Sequence, residues 1–319
     1  MKKILVIHYS QTGQLTRVLD SILTPLKSDA SVSITYEELK PLKPFPFPWT
    51  SKEFFDAFPE SVLEKPIEMQ PLKINIAEQF DLIILGCQVW FLSPSQPLTG
   101  FLKSKEGAQL LNGKNVITVS ASRNMWLNAQ ESVKLMLKNA GAKLVGNIAL
   151  IDRAPNLISV ATIVGWLFYN KKENFFGILP PSGISEKEIS EASRFGDTIL
   201  YTLHTNDFQN LQSRLIEQGA VSMVKTLVNL ELRAKLIFRK WAQFISTKGG
   251  PGDPKRRVRT KIFAWYLPIG LLVLSPIAFT LSNLIMLLMP KKAKKQREYF
   301  EGGGVEVVFM PFWHKKGKK

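Results

Sequence analysis

Cysteine and histidine are nearly absent from the 319-residue chain. The single cysteine, Cys87, excludes an internal disulfide, and the three histidines, His8, His204 and His314, lie far apart in the sequence. Because none of these side chains belongs to a cluster with ligand spacing, the sequence predicts no metal site. A secretory signal pattern is also lacking, and we therefore expect a cytoplasmic protein.

Acidic residues are scarce in the last third of the chain. Residues 1–207 contain 21 Lys and Arg against 20 Asp and Glu, whereas residues 208–319 contain 21 against 6. The formal net charge of +16 therefore divides into +1 and +15. Because the two parts differ so strongly in charge, we predict one domain over residues 1–207 and a basic helical region over residues 208–319.

Strand-like and helix-like patterns alternate through the first 207 residues. Short runs without helical spacing predict five strands, at residues 4–7, 32–39, 82–85, 115–120 and 144–151. Apolar residues at helical spacing predict helices at residues 15–26, 98–101, 130–140 and 186–203. This alternation predicts an α/β fold with a doubly wound, parallel five-stranded sheet, in which ligands bind at the carboxyl ends of the strands.

A loop rich in hydroxyl groups joins the first predicted strand to the first predicted helix. It places unpaired backbone N–H groups and one glycine at a helix N-terminus, where an anion such as phosphate is stabilised. A simple helix cap is the alternative, but a cap needs only one hydroxyl. Neither a Walker motif nor the three-glycine dinucleotide motif is present. The predicted phosphate-binding residues are Ser10, Gln11, Thr12, Gly13, Gln14, Leu15 and Thr16.

The loop after the third predicted strand, GCQVWFLSPSQP at residues 86–97, carries two adjacent aromatic residues. Trp90 is predicted to stack on a flat aromatic ligand and to shield it from water. For Phe91, ligand contact and packing in the core are equally compatible with the sequence. Gln88 and Val89 complete the binding residues expected in this loop, whereas Cys87 is expected to be a small buried side chain at the strand end.

The loop after the fourth predicted strand, SASRNMWLN at residues 120–128, adds a cation and another tryptophan. Arg123 is the one candidate catalytic residue, because it could pair with an anion or polarise a carbonyl group. A solvated surface position is the alternative for this arginine. Trp126 is expected to shape the pocket together with Trp90. Ser120 and Asn124 complete the third part of the predicted binding site.

The Ser-Gln-Thr-Gly sequence of the first loop, followed by aromatic loops after strands three and four, resembles the flavodoxin family. In that family a Ser/Thr-x-Thr-Gly-x-Thr loop holds the phosphate of FMN. Ser10, Thr12 and Gly13 match this loop, while Leu15 stands in place of its last threonine and Thr16 follows one residue later. The resemblance covers about residues 1–205 and implies FMN as the cofactor, bound by the three loops.

Two insertions, at residues 40–62 and 156–182, are rich in proline, aromatic or apolar residues. They are expected to wall an apolar channel near the cofactor, to press on a membrane or to enlarge the core. With the WFLSPSQP loop and the basic, apolar tail, the first insertion resembles flavodoxin-like proteins of dialkylresorcinol (and flexirubin-type) lipid biosynthesis, which leads to aromatic polyene pigments. This resemblance implies an FMN-dependent oxidoreductase that aromatises a dialkylcyclohexanedione to a dialkylresorcinol, alongside a ketosynthase of the same pathway.

Three other functions are compatible with the same residues. A membrane-attached flavodoxin that only carries electrons would need an exposed flavin edge and no apolar cleft. An NAD(P)H:quinone reductase would need a nicotinamide site, which the sequence does not reveal. A scaffold that has lost its flavin would keep the fold without the cofactor, and Leu15 in the phosphate loop keeps this alternative open.

The basic region 208–319 is predicted to attach the protein to a membrane. A long helical stretch is predicted over residues 208–245, and residues 262–289 form a run of 28 residues without charge. Because both flanks of this run are basic, a monotopic hairpin on the cytoplasmic face of the inner membrane is favoured over a single span. The residues expected in the membrane include Ile262, Trp265, Leu272, Phe279 and Leu287.

Anionic lipids are the expected partners of this region. Each flanking cation near an anionic surface contributes about 1 kcal/mol to attachment. A nucleic-acid partner is not expected, because the cations bracket an apolar run and do not form one face. The flanking cations are Lys255, Arg256, Arg257, Arg259 and Lys261 before the run, and Lys291, Lys292, Lys294, Lys295 and Arg297 after it.

Overall fold

A computed structural model places most of the chain. The described residues are 1–173, 177–274, 276–277, 279–280, 284, 288 and 290–302. Leu287, one of the predicted membrane residues, lies outside them. Within these ranges, none of the helices has the length and apolar character that crossing a membrane requires.

Five strands form one parallel sheet. They are β1 (Lys2–His8), β2 (Val32–Glu38), β3 (Leu82–Cys87), β4 (Asn115–Ser122) and β5 (Lys143–Ile151). Their spatial order is β2–β1–β3–β4–β5, so the predicted α/β fold with a five-stranded parallel sheet is confirmed. This is the flavodoxin-like order, in which the chain reverses direction across the sheet between β1 and β3. Ligands of such sheets bind at that switch point, outside the carboxyl ends of the strands.

Helices cover both faces of the sheet. In the described part of the chain they are α1 (Gln14–Lys27), α2 (Ser51–Val62), α3 (Gln96–Leu102), α4 (Lys105–Leu111), α5 (Leu127–Asn139), α6 (Asn156–Tyr169), α7 (Glu186–Ser190), α8 (Ser193–Thr205), α9 (Leu211–Glu217), α10 (Val228–Ser246), α11 (Arg257–Ile269) and α12 (Pro290–Glu301). One core contains α1, α8 and α9, with Leu15 and Leu215 among its buried residues. The opposite core contains α3, α4 and α5, with Leu98 and Leu137. Burial on both faces explains the apolar runs of the central strands.

The two insertions are helical in part, and they contact each other. The first contains α2 and the second contains α6. The backbone N–H of Trp49 donates to the carbonyl of Leu167 at 2.8 Å, and the rings of Phe54 and Phe168 lie 5.1 Å apart. These contacts bring the two insertions together beside the carboxyl edge of the sheet, because the Trp49 ring also contacts Trp90, three residues after β3.

The predicted continuous helix over residues 208–245 is wrong. The chain leaves the helical path after α9 at Gly219, whose φ of 79° is left-handed, and enters α10 only at Val228. Between them, the N–H of Ala149 donates to the carbonyl of Ala220 at 2.7 Å, along the edge of β5. The break arises because α9 packs on the sheet while α10 packs on α2. The predicted helix at 186–203 is likewise divided, into α7 and α8.

Part of the basic region packs tightly against the first insertion. Arg256 is fully buried, and its guanidinium pairs with Asp56 at 2.8 Å and with Glu60 at 2.9 Å, both on α2. The ring of Phe263 on α11 stacks on Phe58 with centroids 3.8 Å apart. The assignment of Arg256 to the lipid-binding cations is therefore wrong, since its charge is used inside the protein. The domain boundary at residue 207 remains a prediction. Residues on either side of it pack together, as Arg256 does with Asp56 and Glu60.

Candidate functional site

The predicted phosphate loop lies between β1 and α1, at the switch point of the sheet. Gly13 occupies the N-cap of α1 with a φ of 76°, in the left-handed region that favours glycine. A Cβ added at this position would meet no atom of the described residues within 4 Å. Open space therefore lies beside the N-terminus of α1, where a helix stabilises an anion.

Several other side chains of this loop bond to or pack against other parts of the protein. Gln14 exchanges hydrogen bonds with the backbone of Ile184, at 3.1 and 3.3 Å, and Leu15 is buried in the core. Thr16 bonds to the ring of His8 at 3.1 Å. Gln11 accepts from the indole N–H of Trp49 at 2.9 Å and donates to the carbonyl of Pro46 at 2.8 Å, so the first insertion rests on the loop.

Buried polar atoms without protein partners lie at the ends of three neighbouring strands. In the described part of the chain, no hydrogen-bond partner is found for these atoms: Nδ1 of His8, Oγ of Ser10, Oε1 of Gln88, Oγ of Ser120 and Oγ of Ser122. They follow or end β1, β3 and β4, which are adjacent in the sheet. Because a buried polar group without a partner is costly, this grouping fits a polar ligand bound at the carboxyl edge. Sequence reasoning missed His8 and Ser122, although Ser122 stands two residues after Ser120 on the same strand face.

Two aromatic rings from the first insertion and the ring of Tyr9, directly after β1, surround Trp90. Its ring centroid lies 4.9 Å from that of Phe45, 5.5 Å from Trp49 and 6.0 Å from Tyr9, all in edge-to-face geometry. The Trp90 side chain is half-exposed at this place. Tyr9, Phe45 and Trp49 were not among the predicted site residues. The available signal for Phe45 and Trp49 was the Pro-Trp-rich composition of the insertion, and for Tyr9 its place directly after β1. The arrangement gives an apolar wall beside the polar strand ends.

The turn after Trp90 has an uncommon backbone. Phe91 and Leu92 are consecutive left-handed residues, with φ of 49° and 60°. The short antiparallel pairing of Val89–Trp90 with Ser93–Pro94 places them at its turn. The ring of Phe91 packs 4.7 Å from Phe54 and 5.2 Å from Phe58, so it belongs to the aromatic packing with α2.

The third predicted loop places its cation near two carboxylates. Burial lowers the pKa of Arg123 to about 10, while the charges of Asp152 and Glu231 act in the opposite direction. Its guanidinium lies 3.5 Å from the side-chain oxygen of Asn124. Trp126 is buried in a separate core, and its indole N–H donates to the carbonyl of Ser222 at 2.9 Å. Arg123 therefore brings positive charge to the carboxyl edge at neutral pH, whereas the Trp126 ring packs against the C-terminal helices.

The fully buried carboxyl of Glu231 on α10 predicts how the free energy of unfolding depends on pH. Burial raises its pKa from 4.5 to about 8, although hydrogen bonds from Asn128 and the charge of Lys235 oppose this shift. Between these two values the folded protein holds a proton that the unfolded chain releases, so the free energy of unfolding should fall as pH rises from about 5 to 8. Glu231→Gln has no such proton and should make this dependence less steep, while the part from Glu131, whose pKa burial raises to about 7, remains. Urea denaturation at pH 5, 6, 7 and 8 measures it, and parallel profiles for the two proteins would contradict the prediction.

One face of α11 is apolar and exposed. Its large side chains follow a spacing of four, three, four and three residues and are 49–77% exposed: Val258, Ile262, Trp265, Ile269 and Leu272, the last in a π-helical turn that continues the helix. We call this set the α11 stripe. Phe279, further along the chain, is half-exposed. The exposed cations Lys255, Arg257 and Lys261 lie beside the stripe.

Both ends of the apolar run are fixed to the same body. At its start, Phe263 packs in a buried cluster with Phe58. After it, Phe300 on α12 packs with Trp126, and the hydroxyl of Tyr299 bonds to Glu131 at 2.7 Å. Phe263, with Tyr266 and Leu267 after it, and Phe300 beyond the run therefore all pack against the same body.

Comparison with known proteins finds matches among solved structures. No known family profile and no curated protein sequence matches it. A flavoprotein from Lactobacillus acidophilus, crystallised with FMN, is 18% identical, with 47% of this chain and 93% of that chain covered and a TM-score of 0.38. For a flavoprotein from Bacteroides uniformis these values are 18%, 48%, 93% and 0.36. For a Trp repressor binding protein from Bacillus subtilis they are 11%, 60%, 98% and 0.30.

Proposed function

We propose that this protein is an FMN-dependent oxidoreductase that acts on a lipophilic cyclic substrate at a membrane surface. The observation that carries the proposal is the grouping of unpartnered buried polar atoms at the ends of β1, β3 and β4, next to the open approach at Gly13. A ligand with a phosphate, a hydroxylated chain and a polar aromatic ring would satisfy such a site. FMN has these three parts, and the flavodoxin-like strand order supports the same assignment.

The residues present fit this cofactor. Ser10, Thr12 and the N–H groups at the start of α1 would hold the phosphate. The side chains of Gln88, Ser120 and Ser122 would bond to the polar edge of the ligand, and Trp90 would cover a ring face. When bound, FMN supplies reversible acceptance of a hydride. The chain itself binds and orients the cofactor and excludes water through the rings of the first insertion.

The resemblance of the sequence to flavodoxin-like proteins of dialkylresorcinol biosynthesis supports a dialkylcyclohexanedione as the substrate. This dione would be converted to a dialkylresorcinol. Aromatisation of such a dione removes two hydrogens, one as a proton and one as a hydride. Arg123 would stabilise the enolate oxygen of the substrate as the proton leaves to solvent, because a fixed guanidinium in a partly desolvated site strongly favours developing negative charge. The apolar insertions, which contact each other near Trp90, would receive the alkyl chains.

Membrane attachment is proposed through the α11 stripe and the apolar run that follows it. An exposed apolar helix face bordered by cations is suited to anionic lipid at the cytoplasmic face of the inner membrane. The return of the chain to the same body at Phe300 supports a monotopic hairpin, because a single span would leave residue 300 on the opposite side. A soluble substrate would gain nothing from this attachment, whereas a substrate with alkyl chains would be taken from the bilayer.

The test of this function uses protein purified in mild detergent and a series of cyclic diones with lengthening alkyl chains. We expect flavin absorption, release of FMN on denaturation, and flavin reduction by the diones in micelles. Each additional buried methylene should contribute about 0.8 kcal/mol to binding, or about fourfold in the rate at low substrate, until the apolar passage is full. Colourless protein that also fails to bind added FMN would refute flavin binding.

The same series separates the two main alternatives. Equal rates along the series, or equal activity on a short soluble dione, would favour a membrane-attached electron carrier. Reduction of the flavin by NADPH, followed by oxidation with a quinone and no reaction with any dione, would favour a quinone reductase. In either case the membrane region would determine only the location of the protein.

A further inference from the structure

The ammonium group of Lys235 lies inside the protein, at a contact between α10 and the Trp90 turn. Its side chain is fully buried. The ammonium donates to the carbonyl of Leu92 at 3.2 Å and to the hydroxyl of Ser93, and it pairs with a carboxylate oxygen of Glu64 at 3.3 Å. A buried ammonium requires such partners, because an unpaired charge in the interior is very costly.

Three residues at this contact have an uncommon backbone conformation. Glu64, Phe91 and Leu92 all have left-handed backbones, with φ of 54°, 49° and 60°. Phe91 and Leu92 are the two central residues of a two-residue hairpin, in which both positions take a left-handed backbone. Residues other than glycine are disfavoured in this region, and contacts from outside the turn can offset that cost. The bond from Lys235 to the carbonyl of Leu92 is a contact of this kind.

The position of this turn determines where Trp90 lies. Trp90 pairs with Ser93 across the turn, and Lys235 binds both Ser93 and the preceding carbonyl. The turn therefore connects a residue fixed by α10 to the ring that faces the carboxyl edge of the sheet. Loss of the ammonium would release the turn from α10 and allow the Trp90 ring to move.

The preceding helical turn of α10 contacts the predicted cofactor loop that follows β4. Glu231, four residues before Lys235, accepts hydrogen bonds from the backbone N–H of Asn128 at 2.8 Å and from its side-chain amide at 3.1 Å. Asn128 begins α5 directly after the loop that carries Arg123. One turn of α10 thus holds both loops that follow β3 and β4.

We propose that Lys235 is a positioning residue for the cofactor, which acts by holding the Phe91–Leu92 turn so that Trp90 is presented to the bound ring. The inference rests on the proposed flavin function, but it assigns a binding role to α10, a helix of the basic region 208–319. In this view α10 completes the flavin site, in addition to connecting that site to the membrane region.

The experiment compares four full-length proteins: wild type, Lys235→Met, the double variant Lys235→Met with Glu64→Gln, and Lys240→Met. The exposed Lys240 lies on the same helix and is the control for loss of a lysine charge. The double variant removes the ammonium together with the negative charge that it neutralises on Glu64, so it should regain much of the thermal stability that Lys235→Met loses. Each protein is titrated with FMN, and the visible circular dichroism of the bound flavin is recorded.

We expect the double variant to bind FMN about tenfold or more weakly than wild type and to change the flavin dichroism, since charge-assisted hydrogen bonds are worth that factor in a binding constant. Lys240→Met should match wild type. Wild-type affinity and dichroism in the double variant would overturn the proposal, because Lys235 would then only neutralise Glu64.

A second measurement does not depend on the cofactor. Hydrogen exchange of the amides at residues 89–93, in protein without FMN, should be faster in the double variant than in wild type and unchanged in Lys240→Met. Unchanged exchange at these amides would also overturn the role of Lys235. If wild type binds no FMN, the proposed function fails, and the exchange experiment still decides whether α10 holds the turn.

Discussion

Gly13→Val is expected to abolish FMN binding, whereas Gly113→Val should leave it intact. The two glycines have almost the same backbone, with φ of 76° and 73°, and an added Cβ at either meets no described atom within 4 Å. Each substitution should therefore destabilise the protein by a similar amount, about 1–2 kcal/mol for a side chain in the left-handed region. Only Gly13 lies at the start of α1, where a valine would occupy the space that an incoming phosphate needs. Gly113 precedes β4, at the opposite edge of the sheet.

Fluorescence titration with FMN, combined with thermal unfolding of the same samples, measures both effects. The matched loss of stability makes Gly113→Val the control for strain. Equal FMN affinity of the two variants would place the phosphate away from the first loop. Addition of inorganic phosphate should weaken FMN binding to wild type, and it should have no effect on the residual binding of Gly13→Val.

Glutamate substitutions in the α11 stripe are expected to release the protein from anionic vesicles. Trp265 and Leu272 are 77% and 63% exposed, and burying such side chains in lipid contributes about 1.5–3 kcal/mol each. The double variant Trp265→Glu with Leu272→Glu should therefore bind vesicles at least about a hundredfold more weakly. Its FMN affinity should be unchanged, because no contact among the described residues joins either side chain to the predicted cofactor loops.

The control for the added charge uses two exposed apolar residues outside the basic region, one in the first insertion and one on α8. Leu42→Glu with Tyr201→Glu changes side chains that are 58% and 54% exposed, and it adds the same negative charge. Vesicle flotation at low and high salt compares the two double variants with wild type. Equal flotation of both variants would show that attachment is electrostatic only, and complete release of wild type by salt would lead to the same conclusion.

The parallel sheet was predictable because its central strands are buried on both faces. Residues such as Ile4 and Ile84 therefore stand in uninterrupted apolar runs, which few other structures produce. The helix α2 was not predicted, since prolines surround it and Pro59 lies inside it. The break between α9 and α10 was missed because both segments have apolar helical spacing, and only tertiary packing directs them to different surfaces.

The candidate site was predictable where it depends on local sequence. Ser10, Gly13 and Ser120 follow strand ends, and their place at the carboxyl edge follows from the topology alone. The direction of a side chain could not be predicted in this way. Trp126 occupies the expected loop, yet its ring packs towards Ser222 and Phe300. Contacts of Trp49 and Lys235 with the site depend on segments far apart in the chain, for which one sequence contains no signal.

The bond between Lys235 and Leu92 spans 143 residues of the chain, which has a consequence for biosynthesis. A ribosome that adds about 5–20 residues per second completes Leu92 roughly 7–30 s before Lys235 exists. During this interval the sheet can form, but the turn that carries Trp90 lacks its partner from α10. A nascent chain should therefore be unable to hold FMN tightly until α10 has emerged and docked, so insertion of the cofactor would come late, close to the time when the apolar run at residues 262–289 is synthesised.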